Sequence, residues 1–126
     1  AHFGLKNAIC MTQTGQGFNK LFSIFCQMLA SKARILLIDE IENGLYYGSL
    51  EQIWRGIAAL ATSEDIQVFA TTHSRECIVA AHEAFKTRPA YDFALHRLQL
   101  VKGRLEAITH DQEMLEVAIK SGMEIR

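Results

Sequence analysis

The sequence predicts an α/β fold in which a parallel sheet is flanked by helices, with a β-hairpin and a helix at the C-terminal end. Three features carry this reading: an unbroken aliphatic run, Ile35-Leu-Leu-Ile38; a second short apolar run, Ile66 to Ala70; and helix-period segments before, between and after them. Strand and helix alternating at these lengths imply right-handed βαβ crossovers. Ligands of such sheets bind beyond the carboxyl ends of the strands. Both runs end there in polar clusters, Asp39-Glu40 and Thr72-His73-Ser74.

Taken in order, Phe18, Leu21, Phe22, Phe25, Met28 and Leu29 recur at three- and four-residue spacing, which predicts an amphipathic helix from about Gly17 to Ser31. The aliphatics of the first run do not alternate with polar residues, so the strand is expected to be buried on both faces. Asn43-Gly44 supplies a turn, and Ser49 with Gln52 fits a capping box at the start of the next helix. Leu50, Ile53, Trp54, Ile57, Ala58 and Leu60 form that helix's apolar face. After the second strand, Ser74 is the expected N-cap of a helix whose stripe is Ile78, Ala81, His82 and Phe85. Arg88-Pro89 breaks it. Alternation from Tyr91 to Ile108, interrupted at Lys102-Gly103, predicts a hairpin, and Asp111 to Ser121 reads as a last helix closed by Gly122.

A chain of 126 residues is one domain at most and long enough to bury a core. Its net charge of −1 argues against holding nucleic acid by bulk electrostatics, so direct nucleic-acid binding by this segment is not expected. Cys10, Cys26 and Cys77 are odd in number and lack CxxC spacing, which argues against a disulfide framework or a cysteine zinc site and for a reduced, cytoplasmic setting. No apolar run approaches the roughly 20 residues of a membrane span. Cys77 and His82 are expected to be packing residues, while His2, His96 and His110 have no partner at metal-ligand spacing.

Two adjacent carboxylates at a buried strand end are costly unless something positive lies over them. A divalent cation is the simplest compensation: magnesium takes one or two carboxylates plus water and phosphate oxygens, and Asp39 could provide one. Glu40, pointing to the opposite side, could orient or deprotonate an attacking water. A solvated loop or a helix cap explains an acidic pair as well. His73 follows the second strand, 34 residues after Asp39, the length of one βαβ unit, so its imidazole could donate to the same phosphate.

These residues resemble the ABC-type clade of P-loop ATPases, close to AAA-family ATP-binding proteins related to the OLD (overcoming lysogenization defect) proteins. Ile35-Leu-Leu-Ile-Asp-Glu-Ile-Glu-Asn-Gly-Leu is similar to the Walker B segment and the loop after it, and Phe69-Ala-Thr-Thr-His-Ser-Arg-Glu-Cys to the switch-histidine segment. Thr14-Gly-Gln-Gly-Phe resembles, more loosely, the signature loop at a helix N-terminus. The resemblance spans about Met11 to Arg126, with the tail from Leu95 similar to the family's end, which implies a native C-terminus. It implies ATP and Mg2+ as ligands: Asp39 holding magnesium through water, Glu40 activating the hydrolytic water, His73 sensing the γ-phosphate. Glu42 and Asn43 would lie in a loop crossing a dimer interface. Thr14, Gly15 and Gly17 would offer backbone donors to the partner's phosphate, although the two glycines equally suit a plain turn before the helix.

The departure is an absence. No Gly-x-x-x-x-Gly-Lys-Ser/Thr occurs, so the loop that wraps the phosphates is missing and residues 1–126 read as the C-terminal part of an ATPase domain. Tyr46-Tyr47 also departs from relatives, which often carry His at the start of that pair. The leading expectation is an ATPase that acts when the missing P-loop half is supplied and the protein forms a homodimer, with this chain alone inactive. A nuclease or other effector partner is expected only by analogy with OLD relatives. The alternative is a non-catalytic association module that kept the fold without nucleotide binding. A metal-dependent hydrolase built on Asp39, Glu40, Glu42 and His73 is a third reading, weakened by the lack of a compact histidine ligand set such as HExxH.

Overall fold

The computed structural model describes residues 15–30, 32–123 and 125. Thr14, His2 and Cys10 therefore lie outside the described residues. The elements run α1 (Gln16–Ala30), β1 (Ile35–Ile38), a 3-10 turn (Tyr47–Ser49), α2 (Leu50–Ser63), β2 (Gln67–Ala70), α3 (Arg75–Lys86), β3 (Leu95–Val101), β4 (Arg104–His110) and α4 (Gln112–Ser121).

Strands β1 and β2 pair in parallel, from Ile35 opposite Gln67 to Ile38 opposite Ala70, and α2 makes the connection between them. Parallel neighbours need such a crossover because a tight turn cannot return the chain to the same end of the sheet. Strands β3 and β4 form the expected hairpin. Its two-residue turn uses Lys102 and Gly103 at φ of 49° and 77°, the left-handed pair that matches the twist of the flanking strands.

Helices α1, α2 and α3 bring Ile24, Met28, Ile53, Trp54, Ile57, Ala81 and Phe85 together with Ile38, Ile41 and Ile66 in the main core. Tyr91 and Phe93, expected within the hairpin, precede it and pack on this core. Phe93 stacks on Phe85 with centroids 5.2 Å apart and meets Trp54 edge-on at 6.5 Å. Arg88 holds that segment in place, with Nε donating to Asp92 Oδ1 at 3.1 Å and a terminal nitrogen to Thr62 Oγ1 at 2.7 Å. A smaller cluster of Ile78, Leu115, Ala118 and Ile125 seats α4 against α3.

Three expectations need correction. Strand β1 is buried on one face only: Leu36 and Ile38 meet the helices, while Ile35 and Leu37 are 56% and 74% exposed. Helices α1, α2 and α3 share the core with Leu36, Ile38 and Val68, while Ile35, Leu37 and Phe69 on the other face of the two strands stay exposed among the described residues. On α1 the inward residues are Ile24 and Met28, with Leu21 and Phe25 beside them, whereas Phe22 and Leu29 face outward. The capping box at Ser49 does not form, because Ser49 has already turned helical (φ −101°, ψ −6°) and its hydroxyl donates back to Tyr46 O at 2.7 Å. By contrast, Ser74 Oγ accepts from Cys77 N at 3.1 Å and Asp111 Oδ1 from Met114 N at 2.9 Å, both as N-caps. Gly122, at φ 70°, closes α4 as expected.

Candidate functional site

The parallel pairing brings the ends of β1 and β2 side by side, and the segments beyond them are tied together by hydrogen bonds. Thr71 N donates to Ile38 O at 2.9 Å and Ile41 N to Thr71 O at 3.0 Å, extending the ladder past the last sheet residues. The Thr71 hydroxyl then does two things. It accepts the Glu40 N–H at 2.9 Å and donates to Asp39 Oδ1. One side chain from the second strand's end thus fixes both members of the acidic pair.

Asp39 and Glu40 are both exposed at this edge. Glu40 has the left-handed φ of 43°, a backbone conformation that costs a residue with a Cβ about 1–2 kcal/mol. Its carboxylate accepts from Asn43 Nδ2 at 3.3 Å, and its carbonyl from Asn43 N at 2.9 Å. Asp39 and Glu40 are therefore presented at the rim of a turn, with their hydration retained.

His73 stands on the adjacent loop, exposed, with its backbone N–H donating to Glu42 Oε1 at 2.9 Å. Burial pushes the Glu42 carboxyl up, but the His73 N–H, its own N–H, the Thr72 hydroxyl and the nearby His73 imidazole outweigh that and hold it below the usual carboxylate value. Glu42 is half-buried, and its second oxygen is buried without a hydrogen-bond partner in the structure. The structure thus brings Asp39, Glu40, Glu42, Asn43 and His73 into one locked unit at the sheet edge.

The N-terminus of α1 lies against the same unit. A Cβ on Gly17 would come within 2.1 Å of the Gly44 carbonyl oxygen, so only glycine permits this approach. Among the described residues, Gly15 has nothing within 4 Å of where its Cβ would stand. Lys20, one turn into α1, sends its ammonium to Glu40 O, with Asp39 O at 3.4 Å and Asn43 O at 3.5 Å. Sequence reasoning missed Lys20 and Thr71. Lys20 lies three residues after Gly17 and so on the same helix face, and Thr71 directly follows the second strand; those positions were the available signals.

No three of the described His, Cys, Asp and Glu side chains converge as a metal-ligand set. A single exposed carboxylate at the strand end does suit a hydrated magnesium ion carried in with phosphate, because that ion keeps most of its water and needs only one or two protein oxygens. Among the described residues, the other histidines lie in the core and in the hairpin. His82 is buried, with Nδ1 2.9 Å from Tyr91 Oη, and His96 Nδ1 is 2.9 Å from Thr109 Oγ1. Cys77 is fully buried and burial pushes its thiol up, as packing requires. No described helix is long and apolar enough to cross a membrane.

The chain is similar over 99 residues, at 30% identity, to an ATP/GTP phosphatase of Helicobacter pylori (strain ATCC 700392 / 26695). That stretch is 76% of this chain and 26% of the relative, so the chain spans about a quarter of the relative's length. A solved structure from work on ATP-driven dimerization and DNA-stimulated activation of SMC ATPases superposes with a TM-score of 0.63 at 13% identity, over 92% of this chain and 66% of the other. It shows the P-loop NTPase fold. The AAA ATPase domain family matches residues 5–78, which include α1, both parallel strands and the locked acidic turn, and the chain belongs to that family.

Proposed function

We propose that these residues are the Walker B, switch-histidine and C-terminal portion of an ABC/OLD-like ATPase, which binds and hydrolyses ATP when a P-loop half completes the site and two protomers meet. The observation that carries this reading is the lock between the two strand ends, where Thr71 joins Asp39 to Glu40 and Glu42 joins the loop of His73. A phosphate placed over that edge would meet an acid pair joined through Thr71, with the backbone that carries His73 tied beside it.

Phosphoryl transfer to water is catalysed mostly by positioning and by stabilising charge. Asp39 is the residue to hold magnesium through water, and the ion would supply neutralisation of phosphate charge. Glu40 orients the attacking water and accepts its proton. His73 donates to a γ-phosphate oxygen from the neighbouring loop. Gly15 and Gly17 offer backbone N–H groups at the start of α1 to the partner's nucleotide, where the helix N-terminus favours an anion, and Thr14 is assigned with them by its place in the sequence. Glu42 and Asn43 belong to the loop that faces the partner. In this reading a nuclease or other effector would be joined to the dimer, in a cytoplasmic setting.

The test is nucleotide turnover by the full-length protein with magnesium, using both ATP and GTP, beside its Glu40→Gln variant. The expected result is turnover that Glu40→Gln lowers by about 100-fold or more while nucleotide binding persists. Calorimetric titration of the 126-residue chain with magnesium and a non-hydrolysable ATP analogue should give no heat. Saturable binding there would mean that these residues build a phosphate cradle unaided, and the divided-site reading would be lost.

The second reading, a non-catalytic association module, draws on the outward face of the parallel sheet. Ile35, Leu37 and Phe69 are 56%, 74% and 49% exposed there, an apolar patch suited to another protein surface. It predicts that Glu40→Gln leaves every property of the full-length protein unchanged.

A further inference from the structure

The ammonium of Lys20 stands among three backbone carbonyl oxygens, those of Asp39, Glu40 and Asn43. An ammonium has three donors and no acceptor, so three converging carbonyls are its complement. Those carbonyls flank the left-handed turn at Glu40, where the backbone is at its least favourable. Without a cation, their partial negative charges would repel one another, and the turn would relax toward a conformation that a residue with a Cβ prefers. Gly17 meets the carbonyl of Gly44 from the same face of α1. The turn from Asp39 to Gly44 is thus gripped at both ends by one helix.

We propose that Lys20 is a positioning residue for Glu40: its ammonium, carried by α1 onto the carbonyls of Asp39, Glu40 and Asn43, fixes the turn that aims the Glu40 carboxylate at the attacking water. This rests on the ATPase reading for the water, but the grip itself does not depend on it. Lys20 touches no reacting atom. It acts on backbone oxygens only, so its loss should alter the orientation of Glu40 and leave the nucleotide's own contacts in place. An arginine, with a longer reach and several donors, can serve two of the three oxygens.

The experiment compares the full-length protein with its Lys20→Met and Lys20→Arg variants by two readouts. The first is amide hydrogen exchange at Asn43 and Leu45, whose N–H groups close the turn onto Glu40 O and Glu42 O at 2.9 and 3.0 Å. Lys20→Met should speed exchange there about tenfold, with α3 amides unchanged and Lys20→Arg close to wild type. The second is steady-state ATP turnover, where Lys20→Met should lower kcat about 10- to 100-fold at unchanged KM and Lys20→Arg should restore much of it. Unchanged exchange at Asn43 and Leu45 overturns the proposal, as does a faster turn with wild-type kcat, or a rise in KM that accounts for the loss. Absence of turnover in the wild type defeats the ATPase reading and is seen without any variant, whereas failure of the Lys20 proposal is seen only in the variants.

Discussion

The backbone N–H of His73 donates to Glu42 Oε1 over 2.9 Å, so a carboxylate after β1 holds the loop after β2. The bond is charge-assisted and accepted by a half-buried residue, and Glu42→Ala should cost about 1–2 kcal/mol of stability near neutral pH. Glu42→Gln keeps an acceptor and should cost less. Because the native carboxyl lies below its ordinary value of 4.5, its contribution is fully present above that value and is lost as pH falls through the lowered native value. Urea unfolding of both variants and wild type, across an acid series, checks this. Equal stability of Glu42→Ala and wild type at neutral pH would contradict it.

Gly15 and Gly17 should respond oppositely to the same change. A methyl on Gly17 would strike a backbone oxygen at 2.1 Å, which cannot move without dragging the Glu40–Gly44 turn, and overpacking of this kind costs about 1–3 kcal/mol. Gly15→Ala meets no atom of the described residues within 4 Å and should leave stability within about 0.5 kcal/mol of wild type. Thermal unfolding of the two variants separates a packing glycine from one with no packing constraint. Equal melting temperatures would remove the close approach as the reason for Gly17.

The local signals were legible in the sequence because their physics is local. Ser74 caps the helix it precedes, Gly122 closes the last one, Lys102-Gly103 turns the hairpin, and the two apolar runs pair as parallel strands. Asp39, Glu40 and His73 came together because a βαβ unit must bring its strand ends together. What failed depended, apart from Ser49, on contacts made across the chain. Ser49 was given a cap, but the 3-10 turn had already made it helical. Ile35 and Leu37 were expected to be inside because their aliphatic run encodes cover on both faces, and the described helices supply one. Thr71 and Lys20 bear no motif: a hydroxyl and an ammonium acquire meaning only when the fold sets them against Asp39 and Glu40.

His82 and Tyr91 make a buried pair whose effect on stability is set by pH. Burial pushes the imidazole below its ordinary value of 6.5, with Glu83 and Glu116 opposing that and Lys86 and Lys120 adding to it, while burial also pushes the Tyr91 phenol up to about 12. The unfolded chain therefore binds a proton at His82 before the native one does. Stability is complete above pH 6.5 and falls as pH drops through that value toward the lowered native one, with a slope of at most about 1.4 kcal/mol per pH unit. His82→Gln should flatten the His82 contribution in unfolding experiments between about pH 7.5 and 5.5. A wild-type profile matching the variant's would show that the imidazole charges freely in the native state.

Thr71→Val tests the joint between the acidic residues at nearly constant volume. The Glu40 N–H loses its acceptor and Asp39 loses a donor. Both groups lie at an exposed edge where water can substitute, so stability should fall by only about 0.5–1.5 kcal/mol. Turnover in the full-length protein should fall further, about tenfold or more, because water does not restore the fixed relation between the two carboxylates. A loss of turnover no greater than the loss of folded protein would reduce Thr71 to an ordinary surface contact.

Glu40 itself should show stability and activity pulling apart. At φ 43° a residue with a Cβ is strained where glycine is not, so Glu40→Gly should relieve about 1 kcal/mol, less what glycine's greater unfolded freedom takes back. The bond from Asn43 Nδ2 is long, at 3.3 Å, and its loss should subtract little. The expected outcome is a melting temperature equal to or above wild type, with ATP turnover by the full-length protein abolished. Strain kept at a carboxylate that folding does not need is the mark of a residue retained for chemistry. If Glu40→Gly instead lowers the melting temperature by several degrees, the side chain is supporting the turn, and the case for Glu40 as the group that activates water weakens accordingly.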